Sequence, residues 1–246
     1  MKNSILVLIL AAGKGSRLKH NLPKPLVPIA KVPMIHRILN VLITFKELDI
    51  SIVVGYRGKE IQNSINEDIS YIFQKNPIGT ADAVKESLHQ IKNYKHVLIM
   101  TADSGLIKKK TIQLLLDDHL RMESDCSFLT SIFPLSLPYA RVIRKNEAIT
   151  NCIEEIDATT SQLKVTELFT SHYILKVKFL LKYIKKIKKN KISGEYNLID
   201  IIQLMIADSC NVNGIKIDDY KSLMGINTLK ELELAENWLE QDNEKN

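Results

Sequence analysis

The sequence is poor in cysteine, and its three cysteines form none of the pairs through which cysteine usually supports a fold. Cys126, Cys152 and Cys210 are far apart in a chain of 246 residues, and no Cys-x-x-Cys motif occurs. The six histidines likewise show no metal-ligand spacing. We therefore expect neither a disulfide framework nor a zinc site, and a cytoplasmic location is the simplest expectation.

Long apolar runs are also absent. The longest run extends from Ile5 to Ala12, whereas a membrane-spanning helix needs about 20 apolar residues. Lys14 and Arg17 follow this run without a recognisable cleavage region, which argues against a signal peptide. We therefore expect no membrane span.

Acidic residues are missing from the first 46 positions, and the first carboxylate of the chain is Glu47. The same segment contains eight cationic residues: Lys2, Lys14, Arg17, Lys19, Lys24, Lys31, Arg37 and Lys46. The whole chain has 34 Lys and Arg residues against 28 Asp and Glu residues, a net charge of +6 that favours an anionic partner. An apolar content of 45% and a charged content of 25% are typical of a soluble globular protein.

The first half of the chain alternates between strand and helix patterns. The continuous aliphatic run Ile5–Leu10 is typical of a strand that is buried on both faces. Further strands are predicted at 50–54 and 97–101, and helices at 33–46, 80–91 and 112–120. Alternation of this kind predicts a mostly parallel central sheet with helices on both faces, which is an α/β fold.

The second half has a more mixed pattern and no Gly/Ser-rich linker. Strands are predicted at 126–133, 139–144 and 167–177, and helices at 179–187, 198–207 and 228–239. We predict one domain over 1–240, with halves of about 1–125 and 126–240, followed by a frayed tail at 241–246. The eight lysines between Lys176 and Lys191 predict an amphipathic helix with a solvated basic face. A membrane-surface or nucleic-acid contact is the alternative there.

A glycine loop follows the first strand and carries the strongest functional signal. The sequence reads LAAGKGSRL from Leu10 to Leu18 and PKPL from Pro23 to Leu26. Without a Cβ at Gly13, the backbone there can approach phosphate oxygens closely. A dinucleotide fingerprint would need a glycine where Leu18 stands, and the spacing of a Walker A loop is also missing.

This loop resembles the signature of the sugar nucleotidyltransferases, written roughly as LAAGxGTR…PKxL. The resemblance continues, in the same order, to the N-acetylglucosamine-1-phosphate uridylyltransferase domain of that family. The further blocks are Gln74–Ala83, Val97–Leu106, Ile153–Thr159, Gly194–Ile202 and Gly225–Thr228. It implies a Rossmann-like nucleotidyltransferase fold with a smaller mixed sugar-binding lobe. The hexapeptide repeats of an acetyltransferase half are not present, so we expect no such half.

The resemblance also implies a reaction and a role for each matching residue. A sugar 1-phosphate would attack the α-phosphorus of a nucleoside triphosphate, with UTP the expected nucleotide, and pyrophosphate would leave. Arg17 and Lys24 match the cations that hold the triphosphate, and Asp103 and Asn227 match oxygen ligands of Mg²⁺, the expected cofactor. The nucleotide-binding positions are Leu10, Ala11, Ala12, Gly13, Gly15, Gln74, Gly79 and Thr80. The sugar-binding positions are Ala140, Glu154 and Thr170.

Several departures from the family pattern gather on the sugar side. Ala140 stands in place of a glycine, and Phe169 replaces a sugar-binding asparagine whose amide both donates and accepts hydrogen bonds. Near the metal position, Thr101 and Ala102 replace a tyrosine and a glycine. We therefore predict nucleotidyl transfer and leave the identity of the sugar phosphate open.

Three alternatives to that activity stay open from the sequence. The enzyme could be a cytidylyl- or guanylyltransferase that acts on another phosphorylated sugar or alcohol. The chain could instead be a non-catalytic nucleotide-sugar-binding regulatory protein. A basic protein associated with RNA or membranes is supported only by the lysine-rich segment, so we expect no nucleic-acid partner. The sequence makes no prediction of oligomeric state.

Overall fold

A computed structural model describes residues 4–243, in which the secondary structure alternates as the patterns predict. Its strands are β1 (Ile5–Ala11), β2 (Pro28–Ile29), β3 (Val32–Pro33), β4 (Leu48–Val54), β5 (Ser70–Phe73), β6 (His96–Thr101), β7 (Cys126–Ile132), β8 (Arg141–Lys145), β9 (Ala148–Ile153), β10 (Glu167–Lys176) and β11 (Val212–Lys216). Its helices are α1 (Met34–Leu42), α2 (Gly58–Ser64), α3 (Thr80–Glu86), α4 (Leu88–Ile91), α5 (Lys109–Arg121), α6 (Val177–Tyr183), α7 (Asp200–Ala207) and α8 (Leu229–Asn243).

One mixed sheet runs through both halves of the chain. Its strand order is β11-β7-β10-β6-β1-β4-β5, and the hairpin β8–β9 joins it through β10. Only β10 on this path is antiparallel to its neighbours, β6 and β7, in the part of the chain from residue 4 to 243. The predicted α/β fold with a mostly parallel sheet is confirmed, and β8, β9 and β10 supply its mixed lobe.

The aliphatic run of β1 lies at the centre of the sheet, between the parallel strands β4 and β6. Alternate residues of the strand enter two different hydrophobic cores, because successive side chains of a strand point to opposite faces. Val7 and Ile9 belong to the core packed against α1 and α5, whereas Leu6 and Leu8 belong to the core packed against α3, α6 and α7. All four are at most 1% exposed, which explains why the run has no polar alternation.

Several predicted helices are shorter than the patterns indicated. The helix predicted at 33–46 is α1, which ends at Leu42. The helix predicted at 80–91 is divided at Ser87, whose buried hydroxyl donates to the carbonyl of Ala83. Such a bond competes with the helical backbone pairing. The helix predicted at 179–187 ends at Tyr183 and continues as a 3-10 turn over Ile184–Lys186.

The ends of the predicted elements agree less well with the structure than their positions. Helix α8 extends to Asn243 and so includes residues 241–243 of the predicted tail, whose last residues, 244–246, lie outside the described range. The sequence patterns did not predict strands β2, β3, β5, β9 and β11 or helix α2. Between residues 4 and 243, no helix has both the length and the apolar character that spanning a membrane requires.

The lysine-rich segment and the cysteines take ordinary places in the structure. Lys182 and Lys186 lie 3.1 and 3.9 Å from the carboxylate of Asp208, and Lys176 pairs with Asp125 at 3.0 Å. These lysines therefore have acidic partners within the same chain. All three cysteines are free thiols.

Candidate active site

Loops that follow three parallel strands meet at the carboxyl edge of the sheet. They follow β1, β5 and β6, and backbone hydrogen bonds continue the pairing of the strands into them. Ala102 donates to the carbonyl of Leu10 at 3.0 Å, and Gln74 donates to the carbonyl of Val54 at 2.8 Å. Ligands of open α/β sheets bind at this edge.

A cavity of about 580 Å³, here called the first cavity, opens between these loops. It is lined by Leu10, Ala11, Ala12, Gly13, Lys14, Gly15, Ser16, Arg17, Lys24, Pro25, Gln74, Pro77, Gly79, Thr80, Ala83, Thr101, Ala102, Asp103, Glu195 and Asn227. Every residue predicted to bind the nucleotide, the triphosphate or the metal is in this set.

Lys24 is positioned by the turn that contains it and by a close contact with the glycine loop. The segment Lys24–Leu26 forms a 3-10 turn, which Pro23 begins at φ −57°. Gly15 has a φ of +61°, and a Cβ there would lie 2.5 Å from the Cβ of Lys24. Gly15 is therefore required by its backbone conformation and by the packing of Lys24. At Gly13, in contrast, a Cβ would meet no atom within 4 Å, so protein packing does not demand glycine there.

The Lys24 ammonium joins the glycine loop to two distant parts of the chain. Its Nζ lies 2.5 Å from Oδ2 of Asp103, after β6, and donates to Oδ1 of Asn227 at 2.8 Å. Nη2 of Arg17 donates to the same Asn227 oxygen at 2.9 Å. Two cations and two oxygen-bearing side chains thus meet at one point on the cavity wall.

The Asp103 carboxylate is held in its charged form although it is largely buried. Burial on its own would raise the pKa of Asp103, but the Lys24 ammonium and hydrogen bonds from Lys24 and Thr101 hold that pKa below its ordinary value. The hydroxyl of Thr101 donates to Oδ1 at 2.6 Å. A charged oxygen donor is therefore ready at this point.

Asn227 is fixed by the start of the last helix. Oε2 of Glu231 accepts hydrogen bonds from the backbone of Asn227 and Thr228, and the Glu231 N–H donates to the Thr228 hydroxyl at 3.3 Å. This reciprocal arrangement is a capping box. Next to it, Gly225 packs against Asp103, and a Cβ there would lie 3.3 Å from its carboxylate.

Gln74 also lines the first cavity, and it is almost fully buried. Its amide nitrogen donates to Oδ2 of Asp82 at 2.6 Å. Its carbonyl oxygen makes no hydrogen bond with another residue of the described range, so it remains able to accept one from a ligand.

Gly79 and Thr80 connect the first half of the chain to the segment before α7. Gly79 has a φ of +125°, and a Cβ there would lie 2.4 Å from the carbonyl oxygen of Tyr196. The hydroxyl of Thr80 accepts a hydrogen bond from Leu198 N–H at 2.9 Å. Both residues line the first cavity. Their contacts with the backbone of Tyr196 and Leu198 are a structural role that the sequence did not predict.

A second cavity, of about 200 Å³, continues from the first on the other side of Asp103. Its lining residues are Arg17, Thr101, Asp103, Ser104, Pro138, Tyr139, Ala140, Glu154, Phe169, Thr170, Ser171, Gly225 and Asn227. The three predicted sugar-binding positions all occur here. Arg17, Asp103 and Asn227 lie on the walls of both cavities.

The predicted sugar-binding residues differ in what they can offer a ligand. The carbonyl of Ala140 accepts from the N–H of Phe169 at 2.9 Å, and the Thr170 hydroxyl donates to the carbonyl of Leu129 at 3.0 Å. Glu154 has no such partner between residues 4 and 243. Burial and the neighbouring carboxylates, first of all Asp200, raise the pKa of Glu154 to about 7.

A third cavity, of about 280 Å³, adjoins the second. It is lined by Thr80, Glu154, Ile156, Phe169, Ser171, Tyr173, Ser193, Glu195, Asn197 and Ile199. Glu154, Phe169 and Ser171 are common to the second and third cavities, and Thr80 and Glu195 are common to the first and third, so each cavity adjoins the other two.

Two buried polar residues near these cavities were not predicted from the sequence. The Tyr139 hydroxyl accepts from Gly225 N–H at 2.9 Å, and burial raises its pKa. His172 is fully buried, and burial lowers its pKa to about 4. Its Nε2 has no hydrogen-bond partner within the described residues. No local signal distinguishes such residues, because burial arises only when distant segments pack together.

The oxygen donors of Asp103 and Asn227 are suited to a hard divalent cation. The Lys24 ammonium lies between them, which places a positive charge where the two oxygens converge. Mg²⁺ favours one or two protein oxygens together with phosphate and water ligands. The donor set therefore fits Mg²⁺. In the described part of the chain, no group of three or more His, Cys, Asp or Glu side chains could form a metal site made by protein alone.

Known proteins are similar to this chain in sequence. Residues 7–162 match the family described as MobA-like NTP transferase domain. The bifunctional protein GlmU of Clostridium beijerinckii is 30% identical over 232 residues, which are 93% of this chain and 50% of that protein. GlmU of Pseudoalteromonas atlantica is 29% identical over 231 residues, which are 94% of this chain and 51% of that protein. The chain thus spans about half the length of these relatives.

Solved structures of low identity share the fold. A structure of UDP-glucose pyrophosphorylase with UDP-glucose has a TM-score of 0.75 at 16% identity, with 96% of this chain and 98% of that chain covered. One assigned as a glucose-1-phosphate thymidylyltransferase of Bacillus anthracis has a TM-score of 0.74 at 18% identity, with 95% and 94% covered. The sugar-nucleotidyltransferase resemblance read from the motifs is confirmed. The chain belongs to the MobA-like NTP transferase domain family.

Proposed function

We propose that this protein is a nucleotidyltransferase that joins a pyrimidine nucleoside triphosphate to a phosphate monoester, a sugar 1-phosphate in the first instance, and releases pyrophosphate. The observation that carries the proposal is the contact of Lys24, on the wall of the first cavity, with Asp103 and Asn227. Asp103, Asn227 and Arg17 lie on the walls of both the first and the second cavity. Two anions can be bound there on opposite sides of one cationic, metal-compatible centre.

In the proposed reaction, a phosphate oxygen of the acceptor attacks the α-phosphorus of the triphosphate. A new P–O bond forms, the bond from the α-phosphorus to the oxygen bridging to the β-phosphorus breaks, and pyrophosphate leaves with that electron pair. The attacking oxygen is already anionic, so no general base is needed. Lys24 and Arg17 would offset the repulsion between the two anions and the charge that gathers on the α-phosphate oxygens.

Asp103 and Asn227 would hold the Mg²⁺ ion of this reaction. When bound, Mg²⁺ supplies charge neutralisation and fixes the orientation of phosphate oxygens. Lys24 now donates to oxygens of both residues, and Arg17 donates to the Asn227 oxygen. Both cations would turn toward the phosphates of a bound nucleotide. The side chain of Thr101 would keep the Asp103 carboxylate in place during that exchange.

The nucleotide base is proposed to lie beside Gln74. The Gln74 carbonyl oxygen would accept a hydrogen bond from N3–H of uracil, which makes UTP the first candidate. A specific observation makes CTP the second: the amide nitrogen of Gln74 is already bonded to Asp82, and the remaining carbonyl can equally accept from the amino group of cytosine.

A non-catalytic nucleotide-sugar-binding protein is less well supported. A binding module has no need of a charged carboxylate paired with a lysine between two phosphate sites. Pyrophosphate release, measured over a matrix of four nucleoside triphosphates and a set of phosphate monoesters with Mg²⁺, tests the proposal. Turnover of at least one pair is expected. Absence of turnover with every pair, together with tight binding of a finished nucleotide-sugar, would overturn it.

A further inference from the structure

Three carboxylates lie at or near the second and third cavities. Glu154 is half-buried on the walls of both, and the exposed Glu195 lies on the walls of the first and third. Asp200 is half-buried and close enough to raise the pKa of Glu154. None of these three side chains has a hydrogen bond or ion pair with another residue between 4 and 243.

Two of these unpaired carboxylates, Glu154 and Asp200, are half-buried and call for a positive charge from outside the chain. A half-buried carboxylate without a partner is costly, and like charges nearby add to that cost. A bare metal ion is not the natural partner, because the described residues include no set of three acidic or metal-binding side chains gathered around one point. A larger organic cation does not require such a set of ligands.

The second and third cavities also have an aromatic lining residue, Phe169, which is 5% exposed. Phe169 lines both cavities, and its ring is packed 5.4 Å from the ring of Phe128 and 5.1 Å from that of Tyr173. The hydrogen bond from Phe169 N–H to Ala140 fixes the backbone that carries the ring. An aromatic ring cannot bond to sugar hydroxyls as an amide does, but its face attracts organic cations.

We propose that the acceptor carries a cationic nitrogen beside its phosphate ester, held between the Phe169 ring and the carboxylates of Glu154 and Glu195. This inference rests on the proposed function and specifies its acceptor: the cavities, not the carboxylates alone, are the site. The chemistry fits an amino sugar 1-phosphate or a phosphorylated amino alcohol. During the transfer step the acceptor phosphate forms the new P–O bond and pyrophosphate leaves, while the nitrogen keeps its charge and forms no bond.

Pairs of acceptors that differ only in that charge test the inference. Glucosamine 1-phosphate is compared with N-acetylglucosamine 1-phosphate, and phosphocholine with its uncharged carbon isostere, dimethylbutyl phosphate, each with UTP and with CTP. We expect kcat/KM for the cationic member of one pair to exceed that of its neutral partner by about tenfold or more. The pair that responds distinguishes a sugar from an amino alcohol as the source of the nitrogen.

Variants connect the preference to the residues. Because Glu154 lines the acceptor cavity, Glu154→Gln can lower kcat/KM for both acceptors, but the loss with the cationic acceptor should exceed the loss with the neutral one by about tenfold. Phe169→Leu, which keeps apolar volume without a ring, should lower the same preference. Glu47→Gln removes one exposed carboxylate before β4, at the opposite edge of the sheet, and is the matched control. Circular dichroism and melting temperatures show that each variant is folded.

The outcomes separate this inference from the function on which it rests. If neutral acceptors are used as well as or better than their cationic partners, the inference is overturned and the nucleotidyltransferase function stands. Equal loss with both acceptors in Glu154→Gln would also overturn it. If no acceptor of any charge releases pyrophosphate, both proposals fail.

Discussion

The ammonium of Lys24 lies 2.5 Å from Oδ2 of Asp103, although 79 residues separate the two in the sequence. Each side chain is about 16% exposed, so each charge depends on the other more than a surface pair would. The contact brings the glycine loop after β1 to the end of β6, and Asn227 completes it from the second half of the chain.

Lys24→Ala should lower kcat by about a hundredfold to a thousandfold, as loss of a preorganised charge donor does at other reaction centres. The reason is twofold: the triphosphate loses a cation, and Asp103 loses the partner that keeps it charged. Steady-state pyrophosphate release measures the effect. Lys59→Ala, at an exposed position of α2, is the control and should retain normal turnover; a Lys24→Ala enzyme as active as that control would contradict the assignment.

Asp103→Asn should abolish the response to Mg²⁺ while the protein still folds. The substitution keeps the shape of the side chain and its hydrogen bond with Thr101, but it removes the negative charge that a divalent cation requires. Turnover measured over a range of Mg²⁺ concentrations, with thermal unfolding in parallel, tests this. A normal Mg²⁺ dependence in the variant would remove Asp103 from the metal site.

Gly15→Ala should destabilise the protein, whereas Gly13→Ala should not. At Gly15 an added Cβ meets Lys24 and the φ is positive, so we expect destabilisation by about 1 kcal/mol or more. At Gly13 there is free space, so the melting temperature should not change. We nevertheless expect the KM for the nucleotide to rise in Gly13→Ala, because the backbone there lines the first cavity. Equal melting temperatures for the two variants would refute the distinction.

Glu231→Ala should lower both the stability of helix α8 and the activity that depends on Asn227. Loss of the capping box should cost about 0.5–2 kcal/mol of unfolding free energy. The Asn227 backbone would lose its 2.7 Å bond to Glu231, and kcat/KM should fall as well. Glu233→Ala, on the exposed side of α8, is the control. Urea unfolding and initial rates, measured on both variants, decide between a role in stability alone and a role in positioning.

Glu154→Gln should stabilise the protein at pH 8 and have little effect at pH 5. Folding raises the pKa of Glu154 to about 7, so the folded protein binds more protons than the unfolded chain between its ordinary pKa and that value. Stability therefore falls as the pH rises through this window, and a neutral glutamine removes that loss. Melting temperatures over pH 5–8 test it. A variant that is less stable than the natural protein at pH 8 would show that Glu154 has a favourable partner.

Much of the first half could be predicted from local patterns. The β1 run and the glycine loop are adjacent in sequence, and the edge of the sheet to which the loop belongs follows from the parallel topology. Strand β5 was missed because its four residues are at the edge of the sheet and alternate weakly, with Phe73 65% exposed. The division at Ser87 depends on one side-chain hydrogen bond, which no periodicity indicates.

The candidate site could be predicted only through resemblance where its residues are far apart. Nothing near Asn227 signals contact with Lys24, because that contact depends on packing between segments 203 positions apart. Phe169 could be recognised from the sequence as a departure from the family pattern. Its packing against Phe128 and Tyr173, and the unpaired carboxylates that line the same cavities, depend on the three-dimensional structure.

Strand β10 has a consequence for how the molecule is made. It lies between β6 and β7, yet it follows both in the chain, after the hairpin β8–β9. During synthesis, the edges of β6 and β7 that pair with β10 therefore stay unpaired until residues 167–176 have left the ribosome. A folding intermediate made of residues 1–125 alone would have an unpaired edge at β6. Separate expression of the two halves would leave the edge of β6 open in one chain and the edge of β10 open in the other. These chains should aggregate through those edges unless they are produced together.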